Sequence, residues 1–283
     1  MFFLSNSALA PIILLMMKNG SEAKLGHIRH SLAHLLAMAV LKKFPKAKLG
    51  IGPTIQDGFY YDFLLPRTLT PEDLKELEKT MRELVKQGLD FKGEKVTPAE
   101  AKKLFANQQF KLDLIKEFAK EKKQLTVYDT SSPQSSKLKA QSYFLDLCKG
   151  GHVKNTKEIS AQSFKLTKIA GAYWRGDEKN PQLQRVYGVA FGTVKELEAY
   201  LELQKETERR DHRKLGERLD LFSSHDVAPG APFWHGKGMI IFRELEKFIR
   251  EEQDAAGYEE IATPSIVKKE VFERSGHWEY YRE

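Results

Sequence analysis

One helix with two demanding faces constrains this chain more than any other feature. From His27 to Phe44, where Pro45 stops it, Ile28, Leu32, Leu35, Leu36 and Ala39 fall on one stripe at about 100° per residue. His27, His30, His34, Ala37 and Leu41 fall on the opposite side. The apolar stripe needs a core. A second face that mixes imidazoles with small apolar residues must line a cavity or pack on another element. The fold therefore has to place material on both sides of this helix.

The 283 residues suffice for that, being roughly two ordinary domains or one large one at about 150 residues per domain. Hydrophobic residues make up 41% and charged residues 30%, which excludes a collagen-like, low-complexity or wholly disordered chain. There is a single cysteine, Cys148, so no internal disulfide forms. A reducing compartment, the cytoplasm, is the expected location. A net charge of +7 favours a polyanionic partner such as nucleic acid. The apolar run Ala8–Met17 is shorter than the about 20 residues a membrane helix needs. No Lys or Arg precedes it and no small-residue cleavage site follows it, so it does not read as a signal peptide. Residues 1–24 are expected to be an extension outside the fold. Residues 1–17 read as non-native or the product of an upstream start, since Met16 and Met17 can each begin translation.

Further along, Lys48–Leu65 reads as short strands punctuated by Gly50, Gly52-Pro53 and Asp57-Gly58. Thr70-Pro71-Glu72-Asp73 and Thr97-Pro98-Ala99-Glu100 each open a helix with a threonine cap, proline at the first position and an acid at the third. Leu112, Ile115, Phe118 and Ala119 mark another helix, ending at the charged run Lys120–Lys123. Thr130–Lys137 reads as a polar loop, and Tyr143–Leu147, Ser163–Trp174 and Leu183–Phe191 as strands. Thr193 caps a charged helix expected to reach Arg213, with a domain boundary near Arg213–Leu219. Then come a Gly/Pro-rich stretch, an amphipathic helix over Met239–Ala256 and a strand over Tyr258–Ala262. Helices and strands mix without βαβ alternation, which predicts an α+β fold with a largely antiparallel sheet.

Two pairs of equal spacing carry the chemistry. His30-x3-His34 sets two imidazoles one turn apart on a helix. Cys148-x3-His152 encloses Gly150-Gly151, the mark of a strand end turning into a loop. Three imidazoles and one thiol suit tetrahedral Zn²⁺. They equally suit a metal-free hydrolytic site in which imidazoles act as bases and hydrogen-bond partners. Alone, the first pair is a permissive pattern, and a lone cysteine is usually a small buried hydrophobe. Gly58-Phe59-Tyr60-Tyr61-Asp62 places a tyrosine hydroxyl in a pocket or simply fills a core. Lys111, after Phe110 at a helix start, reads by spacing as a solvated lysine. Ala172–Asp177 and the basic runs Lys120–Lys123 and Arg209–Lys214 are turns and solvated faces that can also meet nucleic acid.

Several segments together resemble the bacterial threonyl-tRNA synthetases. They are His30-Ser31-Leu32-Ala33-His34, Ile51-Gly52-Pro53, Gly58-Phe59-Tyr60-Tyr61-Asp62, Asp146-Leu147-Cys148-Lys149-Gly150-Gly151-His152, Ala172-Tyr173-Trp174-Arg175-Gly176-Asp177, Arg210-Asp211-His212-Arg213, Phe233-Trp234-His235 and Ser275-Gly276-His277-Trp278. The resemblance runs from about Leu25 to Glu283. It implies an editing (second additional) domain over 25–192, a linker helix over 193–215 and the start of a class II catalytic domain, with motif 1, over 216–283. Such an editing domain hydrolyses seryl-tRNA specific for threonine. His30, His34, Cys148 and His152 are implied to surround the ester, Lys111 to transfer a proton or stabilise an oxyanion, and Tyr61 and Asp146 to position substrate. The family's editing pocket is usually metal-free; a metal, if any, would sit on His30, His34, Cys148 and His152. The implied partners of the full ligase are the tRNA for threonine and a second copy, joined through the motif 1 region, with no membrane. ATP, Mg²⁺ and one Zn²⁺ are implied for the full ligase at sites beyond Glu283, so this fragment is not expected to activate threonine. Gly151 stands where many relatives have proline, and the ubiquitin-like domain that most of the family carries before the editing domain is not expected in residues 1–24. The alternatives are an inert tRNA-binding fragment and a zinc-stabilised structural domain.

Overall fold

The computed structural model describes residues 6–132 and 144–280, with side chains from Glu22 onward. It divides into two units, 1–203 and 204–283. The first opens with α1 (Asn6–Lys43), which runs well upstream of the expected start at His27. Pro133 to Lys137 of the expected polar loop, Tyr143, and the side chains of the Ala8–Met17 run lie outside the described residues.

After α1 come β1 (Lys48–Leu49), β2 (Thr54–Ile55) and β3 (Gly58–Leu64). Next is α2 (Pro71–Lys86), whose Thr70 and Asp73 form the expected reciprocal cap. β4 (Asp90–Val96) precedes α3 (Pro98–Leu104), capped the same way by Thr97 and Glu100. α4 (Gln109–Lys120), β5 (Leu125–Ser131), β6 (Phe144–Leu147), β7 (Phe164–Tyr173) and β8 (Gln182–Ala190) follow. Two antiparallel sheets result. One has the order β1-β3-β8-β7 with β2 paired to β3, the other the order β4-β5-β6. The mixed, antiparallel architecture matches the α+β expectation.

The second sheet holds the main surprise. β4 and β5 were not foreseen, and Thr130 and Ser131, expected in a loop, close β5. β4 buries only Phe91 among mostly exposed polar residues, so it lacks the alternation that marks a strand.

α1 runs beside the large sheet. Ser31 to Val40 are all buried, so both faces of the helix are covered, as their composition demands. Leu32, Leu35 and Leu36 join Phe59, Tyr61 and Phe63 of β3, Leu77 and Met81 of α2, and Phe164 of β7 in one core.

α5 (Val194–Arg209) opens with the expected Thr193–Glu196 cap but ends before Arg213. Asp211 caps a separate short helix, α6 (His212–Arg218), because its side chain accepts the Arg213 backbone N–H and restarts the turn. In the second unit a hairpin of β9 (Phe222–Ser223) and β10 (Phe233–Trp234) leads into α7 (Gly236–Ala255), followed by α8 (Lys269–Arg274) and α9 (His277–Tyr280). The strand expected over Tyr258–Ala262 does not form. Those residues are exposed and no described strand lies beside them to supply a ladder.

Candidate active site

Five elements of the first unit bring the site together. His30 and His34 project from α1, Asp146 from β6, Cys148 and His152 from the loop after β6, Lys111 from the first turn of α4, and Tyr61 from β3. All seven residues singled out in the sequence converge. His30, His34, Lys111, Asp146 and Cys148 line one cleft of about 480 Å³, with Tyr61 and His152 packed behind it.

The loop works because Gly150 and Gly151 adopt φ of +91° and +86°. A Cβ on Gly150 would come within 2.5 Å of the Tyr128 hydroxyl. At Gly151 the left-handed backbone is closed to proline, whose ring fixes φ near −65°. This turn bends the chain back so that Cys148 and His152 face α1.

Three imidazoles and the thiol form a tight group. The Cys148 Sγ lies 3.3 Å from His30 Nε2 and 3.2 Å from His152 Nε2, and accepts the Gly150 N–H at 3.2 Å. His152 stacks on His30, with centroids 4.1 Å apart, and on Phe91 at 5.0 Å. Ser31, which sequence reasoning overlooked although it sits between the two helix histidines, reaches His152 Nδ1 at 3.3 Å. The four donor atoms of His30, His34, Cys148 and His152 lie within 4.8 Å of one another. Ligand atoms around a tetrahedral zinc sit roughly 3.5 Å apart, so the set fits an ion by spacing. These four would hold it, and it would act as a Lewis acid or as a structural tie. The thiol also hydrogen-bonds with the His30 and His152 imidazoles directly.

Beside this group lies a buried charged cluster. Lys111 is 2% exposed and Asp146 3%. Lys111 Nζ is 2.5 Å from Asp146 Oδ1 and donates to the Tyr61 hydroxyl at 3.1 Å. Tyr61 donates to Asp146 Oδ2 at 2.6 Å, and the Leu147 N–H donates to Oδ1 at 2.8 Å. His34 Nε2 stands 3.6 Å from Asp146 Oδ2, while its Nδ1 is buried without a partner. Lys111 is thus the opposite of the solvated lysine its spacing suggested. An ammonium has three N–H donors. Two are engaged by Asp146 and Tyr61, which leaves one for the cleft that Lys111 lines. Gly52 makes room for Tyr61, since a Cβ there would come 2.2 Å from the ring.

Burial sets the protonation states. It pushes the Cys148 thiol up to about 12, so the thiolate is scarce at neutral pH. Burial, then the Asp146 charge, raises the Tyr61 hydroxyl well above its ordinary value. Burial lowers His30, partly opposed by Asp146. His152 is lowered by burial and then by its two histidine neighbours, and His34 by burial and then by His30 and Lys111. All three imidazoles are therefore neutral near pH 7. His34 must take up a proton on unfolding in mild acid, so it supports the fold above its unfolded pKa of 6.5 and ceases to as the pH falls below that. Urea unfolding should show stability dropping between pH 6.5 and 5, with His34 contributing up to about 1.4 kcal/mol per pH unit. His34→Gln should make that slope shallower without abolishing it, since His30 and His152 are lowered too.

Residues 125–187 match the family model described as the threonyl and alanyl tRNA synthetase second additional domain. Over 257 residues, 90% of the chain, the sequence is 49% identical to a protein named threonine–tRNA ligase from Dehalococcoides mccartyi strain BAV1. The chain is similar to part of a threonine–tRNA ligase. The ligases named for Clostridium tetani and for a Wolbachia of Drosophila simulans are each 46% identical, over 90% and 93% of the chain. The chain spans 42%, 38% and 40% of the three ligases' own lengths. The matched segment includes Asp146, Cys148 and His152, while His30, Tyr61 and Lys111 lie before it. No described helix is long and apolar enough to cross a membrane.

Proposed function

We propose that the first unit hydrolyses serine from tRNA that has been mischarged in place of threonine. The observation that carries the reading is the buried Lys111–Asp146–Tyr61 cluster opening on the same cleft as His30 and Cys148, in a chain similar to threonine–tRNA ligases. Serine lacks only one methyl of threonine, and one such group is worth about 1–3 kcal/mol of discrimination. A ligase therefore needs a second site that hydrolyses what the first admits.

In this reading a water oxygen bonds to the seryl carbonyl carbon and the bond to the ribose oxygen breaks. The water's proton passes to that ribose oxygen, releasing serine and free tRNA. The cleft-facing N–H of Lys111 stabilises the developing oxyanion or carries the proton. His30 orients the water or the neighbouring ribose hydroxyl. Asp146 and Tyr61 hold Lys111 and position substrate. Cys148, kept as a thiol, packs and hydrogen-bonds rather than attacking. The domains are 25–192 for editing, 193–215 as linker helix and 216–283 as the start of a class II catalytic domain. The whole protein joins threonine to its tRNA using ATP, with Mg²⁺ and one Zn²⁺ as cofactors, and pairs with a second copy through the α7 region.

Single-turnover deacylation of seryl- and threonyl-tRNA by the chain tests this. Seryl-tRNA should be hydrolysed much faster. Hydrolysis of neither would favour an inert tRNA-binding module. Cys148→Ala should slow the reaction less than Lys111→Ala does, because no step uses its thiolate. A zinc-held domain is the second reading, favoured by the spacing of the four donors. A chelator should leave the deacylation rate and the melting temperature unchanged; loss of either would favour the zinc reading.

A further inference from the structure

Ser31 is fully buried in the middle of α1, on the turn between His30 and His34. A serine inside a helix usually returns its hydroxyl proton to the carbonyl four residues back. Here the Oγ is drawn across to the loop after β6. It accepts the Val153 N–H at 3.1 Å and meets His152 Nδ1 at 3.3 Å. The first contact uses a lone pair. Among the described contacts of this hydroxyl, His152 Nδ1 is the one that can accept, and a buried donor is almost always satisfied, which assigns the hydroxyl proton to it.

We propose that Ser31 is a positioning residue that fixes His152 as the tautomer protonated on Nε2, and so keeps this cluster a metal-free hydrogen-bond chain. With Nδ1 accepting from Ser31, the ring's proton lies on Nε2 and points at the Cys148 sulfur 3.2 Å away. That sulfur also accepts the Gly150 N–H, so its own proton is directed to His30 Nε2 at 3.3 Å. The chain runs one way, from Val153 N–H through Ser31, His152 and Cys148 to His30. An ion on His152 Nε2 would need that nitrogen bare and Nδ1 protonated. Two donors would then converge on the Ser31 oxygen, and its hydroxyl proton would have to turn back to the His27 carbonyl within α1. Donor spacing alone permits a metal; Ser31 opposes it. In the editing reading the chain holds His30 in one orientation toward the cleft, and that consequence rests on the proposal above.

The test is long-range ¹H–¹⁵N correlation of histidine-labelled 283-residue chain, which reports the protonated nitrogen of each ring, with equimolar zinc and without it. The expected result is His152 protonated on Nε2 in both samples. Ser31→Thr, which keeps the hydroxyl, should preserve it, and Ser31→Ala should move His152 to Nδ1–H or to a mixture. Single-turnover deacylation by Ser31→Ala should fall about 10- to 100-fold in maximal rate with half-saturation unchanged, taking over to a metal-free ring the range seen for partners that orient a metal-bound imidazole. His152 protonated on Nδ1 in the unaltered chain, or ligated through Nε2 when zinc is added, overturns the proposal. The spectrum of the unaltered chain decides this even if Ser31→Ala fails to fold or the chain shows no deacylation, so failure of the editing reading is seen separately.

Discussion

Lys111→Ala should slow single-turnover hydrolysis of seryl-tRNA by about 10²–10³-fold, the range for losing one preorganised oxyanion donor or proton carrier. Lys111 Nζ is held by Asp146 at 2.5 Å and by the Tyr61 hydroxyl at 3.1 Å, which in the proposed reaction would fix its remaining N–H before substrate arrives. Preorganisation of this kind avoids reorienting a donor as the oxyanion develops. Lys111→Arg should recover little, because a planar guanidinium does not reproduce the angle of the third ammonium proton. Circular dichroism of each variant separates lost chemistry from lost fold. If Cys148→Ala abolished hydrolysis while Lys111→Ala left it intact, attack by the thiol or metal ligation would be the better mechanism.

Asp146→Ala should destabilise the first unit by about 3–5 kcal/mol, the usual consequence of leaving one buried charge without its partner. Lys111, 2% exposed, would keep only the Tyr61 hydroxyl, and the Leu147 N–H would lose its acceptor. Asp146→Asn should cost less because it keeps an oxygen for two of these donors. Urea unfolding of the three proteins measures the difference. A change below 1 kcal/mol for Asp146→Ala would mean that water enters the cluster and solvates Lys111.

Much of this was legible in the sequence. The caps at Thr70, Thr97 and Thr193 form where their spacing placed them, because a capping box is a local arrangement within four residues. The pairs at 30/34 and 148/152 converge as their equal spacing suggested, and the double glycine makes the turn after β6. Lys111 was legible only by family resemblance. What buries it is Tyr61, 50 residues before it, and an aspartate on another sheet, and no local pattern reports such partners. β4 escaped notice because its mean composition is that of a loop; its strand geometry comes from pairing with β5 along its whole length. The strand expected at Tyr258–Ala262 shows the reverse error. Its residues suit a strand, but a strand exists only where a neighbour completes its hydrogen bonds.

The buried cluster also bears on how the chain reaches its native state. Tyr61 meets Asp146 across 85 residues, and Cys148 meets His30 across 118. Contacts so distant along the chain form only after the intervening segments have collapsed, because closing large loops costs entropy before any contact repays it. Helices α2 and α4 can form from local contacts, whereas the site is complete only when α1, β3, α4 and β6 are all docked. Deacylating ability should therefore emerge last during refolding, behind the recovery of helical circular dichroism, and no proteolytic piece lacking either α1 or β6 should retain it.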